Sequence, residues 1–329
     1  MPAGRYVEAV SEVTFDLAPG ACLALVGESG CGKSVLASAL LGLLPGNAET
    51  AGSARLADGL DLLAADERTL AGTVRGRRVG LVPQSPAAHL TPVRTVRAHL
   101  EESVRELGPG PSGSAGRPGA ADPPPDRPGP GPRAGFLRRR PRPGALRLRA
   151  AAEAAAARAA FPASHLDRYP HELSGGLAQR AATALALVGD APLLLADEPT
   201  TGLDRDLVHR TADELRAHTR EAGRALLLIT HDLAAAERIA DTVAVMYAGR
   251  IVELAPARSF FGPPGPRHPY ARGLLEALPE RAFTPVPGAP PELGALPPGC
   301  AFAARCARAD TLCRTERPLL TEGSACHHA

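Results

Sequence analysis

Gly27-Glu28-Ser29-Gly30-Cys31-Gly32-Lys33-Ser34 is the stretch on which the reading of this chain turns. It fits the pattern G-x-x-x-x-G-K-[ST]. Residues 21–26 before it read as a buried strand, and residues 34–44 after it read as a helix stopped by Pro45-Gly46. That context gives the pattern its meaning. Glycines let successive backbone N–H groups point into one concavity, and the following helix N-terminus adds its own unpaired donors, so the loop can cradle phosphate oxygens. Lys33 then reaches the β- and γ-phosphates of a nucleotide, and Ser34 offers its hydroxyl to Mg²⁺. Cys31 reads as a small loop residue rather than a redox thiol, because no partner cysteine is near it in sequence.

Composition points to the same loop. The 329 residues carry 37 Lys and Arg in total, yet Lys33 is the one lysine. A compact ammonium threads between phosphate oxygens where a planar guanidinium is bulkier and fork-shaped. With 34 Gly and 34 Pro and no Trp, the rest of the chain has a composition drifted toward Ala, Gly, Pro and Arg. A net charge of +2 gives no global field favouring nucleic acid or an anionic membrane, and no nucleic-acid partner is expected. The apolar runs fall far short of the roughly 20 residues that a membrane span needs. The first ten residues lack a basic segment followed by an apolar one, so no secretory signal is expected. Six cysteines are too sparse for a disulfide scaffold, which suits a reducing, cytoplasmic compartment.

Working outward, residues 79–82, 193–196, 225–229 and 242–247 are further apolar strand candidates with helical stretches among them. Such alternation implies an α/β fold with a mostly parallel sheet covered on both faces. Ala248-Gly249 reads as a hairpin turn into residues 250–254. The run Leu193-Leu194-Leu195-Ala196 ends in Asp197-Glu198. A carboxylate at the C-terminal edge of a parallel strand stands beside the phosphate loop, where Mg²⁺ needs an oxygen ligand, and Asp197 suits that role. Glu198 is placed to polarise an attacking water as general base.

The remaining motifs resemble those of ATP-binding cassette (ABC) ATPases. Leu173-Ser174-Gly175-Gly176-Leu177-Ala178-Gln179-Arg180 is similar to their signature, Leu81-Val82-Pro83-Gln84 to the Q-loop, Thr201-Gly202-Leu203-Asp204 to the D-loop, and Ile229-Thr230-His231-Asp232 to the switch-histidine loop. Together with the phosphate loop and Asp197-Glu198, they follow family order over residues 20–232. The resemblance implies a P-loop NTPase core with an antiparallel β subdomain and an inserted helical subdomain. It also implies ATP and Mg²⁺ as cofactors, with Ser34, Gln84 and Asp197 around the metal. Glu198, His231 and Gln84 are then the catalytic residues, with His231 on the γ-phosphate. Residues 27–34, Ser174, Gly175, Gly176 and Asp204 would contact nucleotide, the signature residues from across a head-to-tail dimer. Tyr6 is the N-terminal aromatic available to stack on adenine. Leu177 stands where Gln or Met is usual.

One branch of the family fits best: the ATP-binding subunits of oligopeptide, dipeptide and nickel importers. Tyr169-Pro170-His171-Glu172, residues 245–253 and Arg267-His268-Pro269-Tyr270 resemble its members, and residues 85–93 resemble the segment that meets a permease. The domain reading is a nucleotide-binding domain at 1–254, with its helical subdomain at 85–172, and a C-terminal extension at 255–329 treated as a small separate unit. Within the helical subdomain, residues 108–144 hold 20 Gly or Pro among 37, seven Arg besides, and read as a disordered insert. Most members reach the equivalent of Val10-Ser11-Glu12-Val13-Thr14-Phe15 after one more N-terminal strand, so an edge strand is expected to be missing or to lie upstream.

Cys300, Cys306, Cys313 and Cys326 lie within 27 residues, enough thiols to fill a tetrahedral site or hold a four-iron cluster. The resemblance favours a [4Fe–4S] cluster. Zn²⁺ is the alternative, with His327 or His328 as a substitute ligand. The expected function is the ATP-hydrolysing subunit of a peptide-type ABC importer, peripheral on the cytoplasmic face of the membrane. It would work with a second ATPase subunit, two permeases and an extracytoplasmic solute-binding protein. The alternatives are a soluble, non-transport ABC ATPase and a catalytically idle nucleotide-binding scaffold.

Overall fold

The computed structural model describes residues 6–107 and 143–329. Its spine is a six-stranded sheet in the order β2-β3-β4-β1-β5-β6. The strands are β1 (Cys22–Val26), β2 (Val79–Val82), β3 (Leu193–Asp197), β4 (Ala225–Thr230), β5 (Thr242–Tyr247) and β6 (Arg250–Pro256). All neighbours run parallel except β5 and β6, which form the hairpin expected around Ala248-Gly249.

The parallel strands read as unbroken apolar runs because both faces are covered. Period-two alternation then divides each run between two cores. Cys22, Ala24 and Val26 of β1 join Leu226 and Leu228 of β4 and Val243, Val245 and Tyr247 of β5 on one face. Leu23, Leu25, Leu227, Ile229, Ala244 and Met246 form the other. Helix α1 (Lys33–Leu40) covers the second face through Ala37, followed by Leu41. Short turns α2 (Glu67–Thr69) and α3 (Pro86–His89) flank β2 in sequence. Helices α4 (Val96–Leu107), α5 (Pro143–Arg158) and α6 (Gly175–Ala186) pack on one another. With α7 (Arg205–Glu221) and α8 (Leu233–Ile239) they line the first face. A half-buried ion pair ties α7 to the sheet: Arg216 Nη2 lies 2.8 and 2.7 Å from the two Asp241 carboxylate oxygens, and Asp241 in turn accepts from the Cys22 N–H.

One difference from the sequence reading has a physical cause. Helix α1 stops at Leu40 rather than Leu44, because Gly42 takes a positive φ of 63° and its N–H turns back to the Ala39 carbonyl. The expected disordered insert lies outside the described residues except for its last two positions, Pro143 and Gly144, which open α5. Antiparallel pairing among the described residues is limited to β5–β6 and isolated bridges such as Arg55–Asp61.

The C-terminal extension, read as a small separate unit, packs side chains into the core of the sheet. It forms α9 (Ala257–Phe261), α10 (Pro269–Glu276) and α11 (Thr311–Thr315). Phe260, Tyr270, Leu275 and Phe302 are buried in the same cluster as β1, β4 and β5. The Tyr247 ring of β5 lies 4.5 Å from that of Tyr270 and meets Phe302 edge-on at 5.4 Å. The signal in the sequence is short: one apolar stripe on α10, with Tyr270, Ala271 and Leu275, and the isolated ring of Phe302.

Candidate functional site

The loop between β1 and α1 ends at Gly32, whose φ of 107° suits only glycine and where a Cβ would stand 2.4 Å from the Ala9 carbonyl oxygen. No side chain caps α1, so its first N–H groups remain for a ligand anion. Lys33 is 6% exposed, and its Nζ donates to the carbonyls of Gly27 at 2.8 Å and Glu28 at 3.1 Å. The ammonium is thus held across the mouth of the loop. Cys31 is buried in the loop with its thiol pushed up by desolvation, which fits packing rather than reactivity.

Ser34 Oγ donates to Asp197 Oδ1 at 3.2 Å. The hydroxyl and the carboxylate therefore converge from opposite sides of the loop, an oxygen pair of the kind Mg²⁺ uses. Burial raises the Asp197 pKa, an effect that a bound divalent cation reverses by stabilising the ionised form.

Glu198 is the backbone outlier of the site. It adopts a φ of +48°, unusual for a residue with a side chain, and its N–H is fixed by the Ile229 carbonyl at 2.8 Å. The register Asp197–Ile229 across β3 and β4 places Glu198 beside His231. His231 Nδ1 lies 2.6 Å from Glu198 Oε2. An ionised carboxylate can only accept, so Nδ1 carries the proton in this pair and Nε2 is free to meet a ligand. Reading each residue separately missed this coupling, because it arises from strand pairing rather than from spacing within either motif.

Ser174 caps α6 by accepting from the Leu177 N–H at 3.4 Å. A Cβ at Gly176 would stand 2.3 Å from Leu207 Cδ2, so that glycine answers to packing against α7, whereas position 175 faces open space. Among the described residues no hydrogen bond joins this helix start to residues 27–34. Asp204 caps α7 through the Leu207 N–H at 3.0 Å. Gln84, two residues beyond β2, is exposed. Tyr6 is 77% exposed and lies three residues before Ala9, whose carbonyl abuts Gly32.

Behind the loop, Arg267-His268-Pro269-Tyr270 has a physical task. The buried Glu253 carboxylate of β6 accepts from the N–H groups of Arg267 at 2.7 Å and His268 at 2.6 Å. His268 Nδ1 then caps α10 by accepting from the Tyr270 N–H at 3.1 Å. His268 is 1% exposed, and burial pushes its pKa down to about 4. The unfolded chain, with a histidine near 6.5, therefore binds more protons between these values. Stability is lost as pH falls from about 6.5 toward 4, with an upper bound of about 3 kcal/mol from this group. Burial raises the Glu253 pKa, which acts with the opposite sign, so a variant comparison isolates the histidine. Denaturant unfolding at pH 7 and pH 5 should show a smaller acid-side loss in His268→Asn than in wild type; equal losses would contradict this origin.

Cys300, Cys306, Cys313 and Cys326 line one small cavity with His327 and His328. Tetrahedral zinc at Zn–S distances near 2.3 Å would bring its thiolates to about 3.8 Å from one another. Among the described residues the set of three or more ligand atoms mutually within 4.8 Å is instead Asp310, Cys313 and His328. The four thiols share a cavity but do not form a compact tetrahedron.

A loop with a lysine across its mouth, an acidic strand end facing the loop's serine and a sheet of this order define a P-loop nucleotide-binding protein. The pattern of the ABC transporter family matches residues 10–201, and that of the oligopeptide/dipeptide transporter C-terminal region matches residues 252–313. The oligopeptide transport ATP-binding protein of Mycobacterium tuberculosis is 36% identical over 99% of this chain and 49% of its own length. The dipeptide transport ATP-binding protein of Bacillus subtilis is 33% identical over 98% and 88%. The chain spans about half the length of the mycobacterial relative. An ATP-binding cassette solved as a dimer in a post-hydrolysis state with ADP and Pi has the same fold, with a TM-score of 0.59 at 22% identity over 76% of this chain and 91% of its own. The chain belongs to the ABC transporter family, and its C-terminal region is of the oligopeptide/dipeptide type.

Proposed function

We propose that the chain is the ATP-binding and ATP-hydrolysing subunit that powers an ABC importer of peptides or of dipeptide- or nickel-type solutes. The observation that carries this reading is the convergence of Lys33, Ser34, Asp197, Glu198 and His231 on one sheet edge, with a peptide-transporter-type C-terminal region packed behind it. Lys33 and the loop N–H groups bind the phosphates. Ser34 and Asp197 hold Mg²⁺, with Gln84 completing its surroundings, and Tyr6 stacks on adenine. Glu198 accepts a proton from the attacking water, while His231 holds that water in line and hydrogen-bonds the γ-phosphate, which requires a proton on Nε2 as well as on Nδ1. Ser174, Gly175 and Gly176 close on the nucleotide of a second ATPase subunit, and Asp204 lies at that junction. The chain would assemble with two permeases and a solute-binding protein, and relatives named as transport ATP-binding proteins support the transport role itself. No helix among the described residues is long and apolar enough to cross a membrane, which is consistent with peripheral attachment at the cytoplasmic face.

The test is reconstitution with candidate permeases and the cognate binding protein in vesicles. Peptide-loaded binding protein should stimulate phosphate release. Unstimulated hydrolysis that persists without permeases would favour a soluble, non-transport ATPase, and no hydrolysis at all would favour an idle scaffold.

The C-terminal thiols would hold a [4Fe–4S] cluster through Cys300, Cys306, Cys313 and Cys326. A cluster takes each thiolate on a different iron, so it suits thiols that share a cavity without crowding. Such a cluster would supply cross-linking of the tail. Zn²⁺ on Asp310, Cys313 and His328 is the alternative, and iron and zinc content of anaerobically purified protein separates the two.

A further inference from the structure

Glu28 is an acidic side chain in a loop built to bind anions. Left unpaired, its carboxylate would oppose a polyphosphate by like-charge repulsion. In the structure it is clamped from the C-terminal region. Arg305 Nη1 and Nη2 donate to Glu28 Oε2 and Oε1, each at 2.8 Å, a bidentate pair. The Glu28 N–H donates to the Tyr270 hydroxyl at 2.9 Å. The Glu28 carbonyl is one of the two, with that of Gly27, that accept from Lys33 Nζ. One residue thus joins the tail to the ammonium that meets phosphate.

Arg305 is itself fixed. Its side chain is 4% exposed, against 27% for Glu28. Nε donates to the Pro287 carbonyl at 2.6 Å and Nη1 to the Tyr247 hydroxyl at 3.2 Å. Its guanidinium carbon lies 5.7 Å from the Tyr247 ring centre and 5.6 Å from that of Phe302. An arginine so placed holds its partner in one geometry with little side-chain entropy left to lose.

We propose that Arg305 and Tyr270 are positioning residues for the phosphate loop: by neutralising and fixing Glu28 they preorganise Lys33 and the loop amides, so that the C-terminal region sets the affinity for MgATP. This rests on the proposed nucleotide site. Neutralisation makes it distinguishable from simple stabilisation, since the harm done by losing Arg305 comes from the charge left on Glu28. Removing that charge as well should restore binding.

The experiment is calorimetric titration of the full chain with MgATP. Arg305→Met should weaken binding by about 30-fold, in keeping with loss of the buried partner of a half-buried charged pair. The double variant Glu28→Gln/Arg305→Met should recover most of that loss. Tyr270→Phe, which removes only the hydroxyl facing the Glu28 N–H, should weaken binding by about threefold. A folded Arg305→Met with wild-type affinity, or a double variant no better than Arg305→Met, would overturn the proposal. If Arg305→Met does not fold, unchanged affinity in Tyr270→Phe overturns it instead. Lys33→Ala serves as the control: binding that is lost there but intact in Arg305→Met leaves the nucleotide site standing and removes only this inference. A wild-type chain that binds no MgATP removes both.

Discussion

Lys33→Ala is expected to weaken MgATP binding by about 100-fold or more, the scale of a charge-assisted phosphate contact removed from a buried site. Lys33 is 6% exposed and its ammonium is already oriented by the Gly27 and Glu28 carbonyls, so little ordering remains to be done when phosphate arrives. Lys33→Arg should fare almost as badly. The guanidinium keeps the charge, but its planar fork does not fit a space closed by the Cys31 sulfur, 3.9 Å from Nζ, and two carbonyls. Titration of both variants checks this. An arginine variant with wild-type affinity would reduce the role of Lys33 to charge alone.

The second large effect is expected at Glu198. Glu198→Gln keeps the shape of the side chain and removes its basicity, so turnover should fall by about 10²- to 10⁴-fold. MgATP affinity should stay near wild type, because Lys33, Ser34 and Asp197 are untouched. ATP should then accumulate on the protein, and any nucleotide-closed dimer should persist. The structure adds a condition. His231 Nδ1 lies 2.6 Å from the Glu198 carboxylate, and a glutamine there can still accept from Nδ1 through its amide oxygen. The loss in Glu198→Gln therefore reports proton abstraction rather than collapse of the histidine. His231→Ala should instead lose activity together with the orientation of Glu198.

Much of this was legible in the sequence because the decisive elements are local. A strand, a glycine turn and a helix in succession fix the phosphate loop, and the run ending in Asp197-Glu198 is a buried strand with polar residues at its rim. Thr242–Tyr247 emerged with the bounds its apolar run suggested, since a strand covered on both faces has no polar alternation to blur its ends. What stayed hidden depends on residues far apart in the chain. The Glu198–His231 contact needs the β3–β4 register. The Arg305–Glu28 clamp spans 277 positions and leaves no periodic trace, because a single arginine among many carries it. Arg267-His268-Pro269-Tyr270 could be quoted from the sequence but not explained. Its meaning required Glu253 beneath it and Glu28 beyond it. The packing of the tail stayed hidden for a related reason: Tyr270 on the short α10 and Phe302 on a turn bury large rings with no long periodic stretch to announce them.

The most direct test of the account is single-turnover release of inorganic phosphate from MgATP, measured side by side for the wild-type chain and Glu198→Gln at matched nucleotide occupancy. The expected result is release by wild type, and in Glu198→Gln bound nucleotide that remains ATP with release slowed by about 10²-fold or more. Equal rates in the two proteins would contradict the assignment of Glu198, and with it the reading of this sheet edge as a hydrolytic site.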